Sequence, residues 1–399
     1  MQSRRQLAPH LNAGLPMGAS CHVGSIDMDP SSPSFDPIAD IVNVATTFEV
    51  RRDDLRQHRS VTSPVPEPAA GQVVLHLDHA ALTSNNITYG AFGEVMGYWN
   101  FFPAADGWGR VPVWGFADVI ASRVEGIDDG ERVYGYFPMS THLVVRAGRV
   151  TPTSFIDQSE HRATLPPVYN QYLRIADRAS ATDEHLHAVL RPLFTTSFLI
   201  DDWLSAQDSF GARSVVIASA SSKTGLALAA LLHARGGIEV VGLTSSRNAE
   251  FVRSVGYYDT VVAYADVATL DASVPTVLVD MGGDAIVLAA VHGHFGDSLR
   301  HSCQVGATHW EDVRFGMQLP GPVPAMFFAP DHVVRRLADW GPGGFDERVS
   351  TAWDSFIESA SAWIEIVHQR GPVAVGAAFD AVLGGQVPAN QAFVVSLDA

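Results

Sequence analysis

The segment Ser219-Ala220-Ser221-Ser222-Lys223-Thr224-Gly225 lies between the apolar run Ser214-Val215-Val216-Ile217-Ala218 and a Leu/Ala-rich stretch reaching Ala234. Small residues at a turn from a buried strand into a helix let the backbone approach a pyrophosphate, which then sits on the free N–H groups of the helix N-terminus. The full G-x-G-x-x-G spacing is not matched, because serine and alanine replace the first two glycines. Lys223-Thr224 also looks like the end of a P-loop, but no G-x-x-x-x-G precedes the lysine, which disfavours a nucleoside triphosphatase. The alternative is a plain tight turn into a helix. A second polar cluster, Thr244-Ser245-Ser246-Arg247-Asn248, follows the apolar run Ile238-Glu239-Val240-Val241-Gly242-Leu243. A site for NAD usually carries an acidic residue here for the ribose 2′-hydroxyl, whereas hydroxyls and an arginine suit a 2′-phosphate. One charge-assisted contact of that kind is worth about 1.5–3 kcal/mol, or one to two decades of preference. Ser246 can equally cap the next helix while Arg247 stays solvated.

These segments need a parallel sheet to hold them. Continuous apolar runs are the mark of strands buried on both faces, as at 214–218 and then 238–243, and 260–262, 276–279, 302–305 and 325–328 are further strand candidates. Helical stretches at 225–234, 248–255 and 286–295 alternate with them, the pattern of a doubly wound α/β sheet. Before residue 190 the pattern is different. Short runs at 41–49, 73–79, 111–116, 117–124, 132–137 and 142–145, separated by turns such as Asp128-Asp129-Gly130, predict a small barrel or curled sheet. Beyond Gly341-Pro342-Gly343-Gly344 the sequence predicts a long helix over 347–368, a helix over 374–383 and a closing strand over 392–397.

Composition narrows the partners. Against 43 Asp and Glu stand 26 Lys and Arg, a net charge of -17 over 399 residues, and no basic patch is evident; nucleic acid is therefore not an expected partner. No run approaches the roughly 18 apolar residues of a membrane helix. Met1 to Ser20 lacks an apolar core segment, so it does not look like a secretory signal and a cytoplasmic location is expected. Two cysteines, Cys21 and Cys303, leave no room for a disulfide framework or a multi-thiolate metal site.

Taken in order along residues 60 to 399, the motifs resemble the medium-chain dehydrogenase/reductase superfamily, in its zinc-free quinone-oxidoreductase and enoyl-reductase branches. Pro64 to Gln72 is similar to the family's Pro-rich entry, and Ala80-Ala81-Leu82-Thr83-Ser84-Asn85-Asn86 to its active-site strand end. Gly130-Glu131-Arg132-Val133-Tyr134-Gly135, Ser219 to Gly225 and Val279-Asp280-Met281-Gly282-Gly283 stand where the family has G-D-R-V-x-G, A-S-G-G-V-G and D-x-x-G-G. The stretches 168–172 and 191–198 look like those of a divergent branch. The resemblance implies a β-rich, chaperonin-10-like catalytic domain around a Rossmann domain. Residues 1–35 would form a disordered tail, 36–190 the first part of the catalytic domain, 191–345 the NADP-binding domain and 346–399 the return to the catalytic domain.

The zinc branches need cysteine ligands and a Gly-His-Glu. Trp114-Gly115-Phe116 stands in that region, Cys21 lies in the tail and Cys303 on a strand, so no metal is expected. His185, His187, His292 and His294 read as surface histidines. In the zinc-free enoyl reductases a tyrosine stabilises or protonates the developing oxyanion. By that resemblance Tyr89, Tyr98 and Tyr169 are catalytic candidates, with Asn86 (or Asn85) as a polar contact. The resemblance also directs Thr195, Ser219, Ala220, Ser221, Ser222, Lys223, Thr224, Gly225, Thr244, Ser245, Arg247, Tyr264 and Gly306 toward the cofactor, and Ala307-Thr308 toward the nicotinamide. The implied activity is zinc-independent hydride transfer from NADPH to a carbonyl or activated double bond of a small apolar substrate, in a homodimer. A nucleotide-binding protein without redox turnover, or a lyase reusing the cleft, are the alternatives.

Overall fold

Ser214–Ala218, buried along its whole length, is the centre of a six-stranded parallel sheet. The computed structural model describes residues 44–176, 180–306 and 318–398 of the chain. The expected tail, Cys21, Ala307 and Thr308 lie outside those residues. The sheet runs Thr260–Ala263, Glu239–Thr244, Ser214–Ala218, Thr276–Asp280, Leu299–Gln304, Ala325–Met326. Its order therefore reverses between Ser214–Ala218 and Thr276–Asp280. In open α/β sheets a ligand binds in the crevice beyond the strand ends at such a reversal. The sheet's own β-rich neighbour is a second sheet of eight strands in which Gln72–Leu82 pairs on one edge with Pro112–Ser122 and on the other with His142–Gly148, then Gln391–Ser396. Through Arg132–Pro138, Gln171–Ile175 and Ser154–Asp157 the pairing returns to His142–Gly148, so six strands close on themselves. The chain is thus mixed α/β, as expected.

Two long helices join the layers. Ala181–Ala206 starts at Ser180, whose hydroxyl accepts from the Asp183 N–H, and buries Leu186, Val189, Leu190, Phe194 and Ile200 against the parallel sheet. Ala329–Ala360 packs Phe345, Val349 and Phe356 into the same core and bends at Gly341, whose φ of 71° only glycine adopts easily. The expected domain boundaries at 190/191 and 345/346 fall inside these two helices. No described helix is long and apolar enough to cross a membrane.

Several local expectations are corrected. The stretches 111–116 and 117–124 form one strand, Pro112–Ser122, because no turn residue interrupts them. The helix expected over 347–368 begins at Ala329 and ends at Ala360, and His368 lies on the strand Glu365–Arg370. The charged stretch after Arg51 contains a strand, His58–Pro64, paired with Val44–Arg51. His292 is not on the surface: it is fully buried, with Nδ1 2.8 Å from Pro320 O and Nε2 2.9 Å from Ser302 Oγ. His185, His187 and His294 are half-buried.

Candidate functional site

A cleft of about 420 Å³ opens at the sheet reversal, within the usual volume of a small-molecule site, roughly 300–1,000 Å³. One wall is the turn after Ser214–Ala218. Ser219 holds φ at 58°, the left-handed region, at the first position of the turn, where a glycine-rich loop would place glycine. Ser222 caps the helix Lys223–Arg235 by accepting from the Gly225 N–H. Gly225 leaves little space for a side chain, since a Cβ there would lie 3.0 Å from Ser222 Oγ and 3.1 Å from Ser219 O. The first turn of this helix therefore packs tightly on its own loop, leaving Ser219, Ser221, Ser222, Lys223 and Thr224 facing the cleft.

Two cations belong to this wall. The half-buried Lys223 amine donates to Ala389 O at 3.3 Å, and burial depresses it to about 8. Arg247 Nη2 donates to Gly385 O at 2.8 Å. Neither is ion-paired among the described residues. Ser245 faces the cleft as well, and its buried hydroxyl has no hydrogen-bond partner among the described residues; nor has that of Thr244 behind it. Tyr264 lines the same wall, its hydroxyl 3.3 Å from Ser219 Oγ.

The opposite wall comes from the helix Ser84–Ala91 and the turns around Tyr98 and Tyr169. Tyr89, Tyr98 and Tyr169 face the cleft and pack ring against ring, with centroids 4.7 Å apart for Tyr89 and Tyr98 and 6.1 Å for Tyr98 and Tyr169. Burial keeps all three phenols neutral by raising them above the ordinary tyrosine value. Tyr89 is opposed by the most donors: Trp114 Nε1 reaches its oxygen at 3.3 Å, and Asn85 and Tyr169 also hydrogen-bond to it. Tyr169 is pushed the other way by its bonds to Tyr98 and Tyr89, which favour its protonated form. A fully buried Arg162 holds this wall from behind, bonded to Asp157, Asn170, Tyr172 and the Tyr169 carbonyl.

Not every residue singled out in the sequence reaches the cleft. Asn86 does not line it: its Oδ1 accepts from the Thr83 N–H and its Nδ2 donates to Pro112 O, so both amide ends serve the helix start. Thr195 bonds back to Arg191 O, and Thr196 lines the cleft in its place. Ala220, Gly225 and Thr244 are buried behind the wall, while Gly306 lines it. The sequence reading missed the segment from Val382 to Ala392, which lines the cleft and contacts the Lys223 and Arg247 side chains. Its only local signal is the turn Gly384-Gly385 and Pro388 after a helix.

Comparison with known proteins adds two findings. The family model described as "Protein of unknown function (DUF2855)" matches residues 80–388. The chain belongs to the DUF2855 family. No curated protein matches it. In fold, this DUF2855 chain is similar to CurA from Vibrio vulnificus, at 13% identity and a TM-score of 0.59 over 89% of this chain and 99% of that one; CurA is also solved in complex with NADPH. It is similar to the CurK enoyl reductase at 12% identity and a TM-score of 0.52, covering 88% and 99% of the two chains. A mycobacterial protein solved with NADPH matches at 16% identity and 0.51, over 88% and 99%. The likeness establishes that the DUF2855 chain shares the fold of these proteins.

Proposed function

We propose that this chain is an NADPH-dependent oxidoreductase that reduces a carbonyl or an activated double bond without zinc, with Tyr89 as the proton donor. The observation that carries the reading is the meeting, in one cleft, of an anion-ready wall and a tyrosine wall. The strand order around Ser214–Ala218, third-second-first-fourth-fifth-sixth in the sheet, is that of a Rossmann domain. The closure of six strands on themselves supports reading the β-rich part as the chaperonin-10-like partner. Structural neighbours solved with NADPH support the choice of cofactor.

The residues present fit that cofactor. Ser219, Ser222 and the N–H groups opening Lys223–Arg235 would receive the pyrophosphate, with Lys223 neutralising it. Arg247, Ser245 and Tyr264 would hold the 2′-phosphate, and Thr196 and Gly306 line the same cleft. Bound NADPH supplies a hydride. The chain's part is to orient the acceptor against the tyrosine wall and deliver a proton. Tyr89 donates from its hydroxyl to the developing oxyanion or carbanion, and Trp114, Asn85 and Tyr169 then hold the phenolate. The apolar residues Phe92, Met96 and Met281 around the tyrosines suit a small apolar substrate. A cytoplasmic homodimer joined along the exposed Ala325–Met326 sheet edge completes the proposal.

The test is direct binding of NADPH and NADH to the purified chain, followed by loss of reduced-nicotinamide absorbance with quinones, enones and aldehydes. NADPH binding with turnover on one of these classes is expected. Failure to bind either nucleotide would sink the reading, and binding with no turnover on any class would leave a nucleotide-binding protein instead.

A further inference from the structure

Between the helix Gly371–Leu383 and the strand Gln391–Ser396 runs a short connection, residues 384–390, of which Gly384, Gly385, Val387, Pro388 and Ala389 line the cleft. Its two ends are fixed by backbone bonds. The Gly384, Gly385 and Gln386 N–H groups donate to Asp380 O, Val382 O and Ala381 O, and Asn390 O accepts from the Glu365 N–H at 2.8 Å. Gly385 makes the turn at a φ of 62°, in the left-handed region that glycine enters at little cost. Between those ends Val387 packs on the barrel core, and Pro388 has no N–H to donate.

The same connection is tied to the parallel-sheet layer by two side chains that carry positive charge. Lys223 Nζ donates to Ala389 O at 3.3 Å, and Arg247 Nη2 donates to Gly385 O at 2.8 Å. The donors come from the segments that follow two neighbouring strands, Ser214–Ala218 and Glu239–Thr244, which pair in parallel. A carbonyl gives an ammonium or a guanidinium a hydrogen bond but no opposite charge. A phosphate oxygen would give the same donor both. The Lys223 amine, which burial pushes down to about 8, shows what a charge held without a counter-ion costs.

We propose that residues 384–390 form a strap that Lys223 and Arg247 tie down until a ligand's phosphates take those two cations and release it. The inference rests on reading this wall as the nucleotide wall, with the Ala389 and Gly385 carbonyls standing in for phosphate oxygens. A ligand with one phosphate frees one tie and leaves the other. A ligand with both a 5′- and a 2′-phosphate frees both, so the strap itself discriminates between NADPH and NADH. The strand that follows the strap pairs with the end of Gln72–Leu82, and the helix carrying Tyr89 starts at Ser84. The strap thus joins the phosphate wall to the tyrosine wall.

The test uses the full chain carrying Cys21→Ser and Gln386→Cys, with a nitroxide attached at position 386 and its mobility read by electron paramagnetic resonance. Gln386 is exposed and does not line the cleft, and the buried Cys303 is out of reach of the label. Without ligand, Arg247→Ala and Lys223→Met should each raise the mobile fraction of the spectrum roughly 2–10-fold, the equilibrium shift that one hydrogen bond sustains. Arg253→Ala removes an exposed cation that bonds to Val261 O instead, and should leave the spectrum unchanged. With both cations present, adenosine 2′,5′-bisphosphate should release the strap at least as far as either variant does, and adenosine 5′-monophosphate less. Calorimetry measures the binding of each ligand separately. A bisphosphate that binds and leaves the spectrum unchanged, ligand-free variants with the wild-type spectrum, or an equal response to Arg253→Ala overturns the strap. A bisphosphate that does not bind overturns the nucleotide reading and release by phosphate together, and the ligand-free variants then decide the tether by themselves.

Discussion

Lys223 offers the sharpest test of the nucleotide wall, because its own ionisation should appear in the binding curve. Burial lowers its amine from the ordinary 10.5 to about 8, and its one hydrogen bond goes to the neutral carbonyl of Ala389. With a value near 8, roughly nine-tenths of the free protein carries the charge at pH 7 and roughly one-tenth at pH 9. A phosphate beside the amine holds it charged in the complex, so binding at pH 9 must first restore the proton. The ratio of the two populations gives about a tenfold weaker NADPH affinity at pH 9 than at pH 7. Phosphate monoesters lose their second proton near pH 6, and arginine does not titrate in this range, so neither contributes to the slope. Lys223→Met should lose about 1.5–3 kcal/mol of binding, tenfold or more, and should also flatten the pH profile. Stability without nucleotide moves the opposite way. Between 8 and 10.5 the unfolded chain holds more protons than the folded one, so wild-type stability rises with pH across that window. Lys223→Met removes a penalty that is complete below 8, and its melting temperature should exceed wild type at pH 7, with the advantage gone above about 10.5. Titrations of both proteins at pH 7 and 9, by nicotinamide fluorescence, measure all of this. A wild-type affinity that is flat across the range, or a Lys223→Met slope equal to wild type, refutes the reasoning.

Three further outcomes are expected. Arg247→Ala should lower NADPH affinity by 10–100-fold and leave NADH affinity unchanged, measured by parallel titration; equal losses on both nucleotides would remove the 2′-phosphate role. Tyr89→Phe should lower turnover by 10²–10⁴-fold while NADPH binding stays at the wild-type level, and retention of turnover would transfer the proton to another donor. Arg162→Met leaves Asp157 without its buried partner and the Tyr169 carbonyl without its donor, so urea unfolding should show a loss of about 3–5 kcal/mol. Arg162→Lys should not restore it, since one ammonium cannot reproduce contacts to four separate groups.

The parallel sheet was legible because strands buried on both faces leave unbroken apolar runs, as Ser214–Ala218 and Thr276–Asp280 do. The turn 219–225 was legible by position as the link from a buried strand to a helix, even with its glycines replaced. What the sequence concealed were elements whose polar residues are consumed locally. In Ala181–Ala206 the hydroxyls of Thr195, Thr196 and Ser197 return to carbonyls one turn back, so a helix containing Pro192 and three consecutive hydroxyl residues does not read as one. Asn86 drew attention as a polar residue beside the tyrosines, yet its amide closes the helix start. Strand His58–Pro64 is polar because it is mostly exposed. The segment 382–392 depends on contacts between residues more than a hundred positions apart, for which no local periodicity exists.

Net charge is uninformative about the cleft until it is resolved in space. A chain of -17 would be a poor host for an anionic cofactor if its cations were all committed to carboxylates. Arg132 and Arg162 are so committed, at 2.7 and 2.8 Å from Asp78 and Asp157. Lys223 and Arg247 are held instead by the carbonyls of Ala389 and Gly385. A phosphate can claim either cation by displacing a neutral acceptor, with no ion pair to break, and the segment 382–392 is then the part of the cleft that must yield. Arg132 lies at the other extreme, held by three carboxylates, Asp78, Asp118 and Glu184. The same acidic chain therefore keeps Lys223 and Arg247 clear of carboxylate partners among the described residues, while it commits Arg132 to three of them.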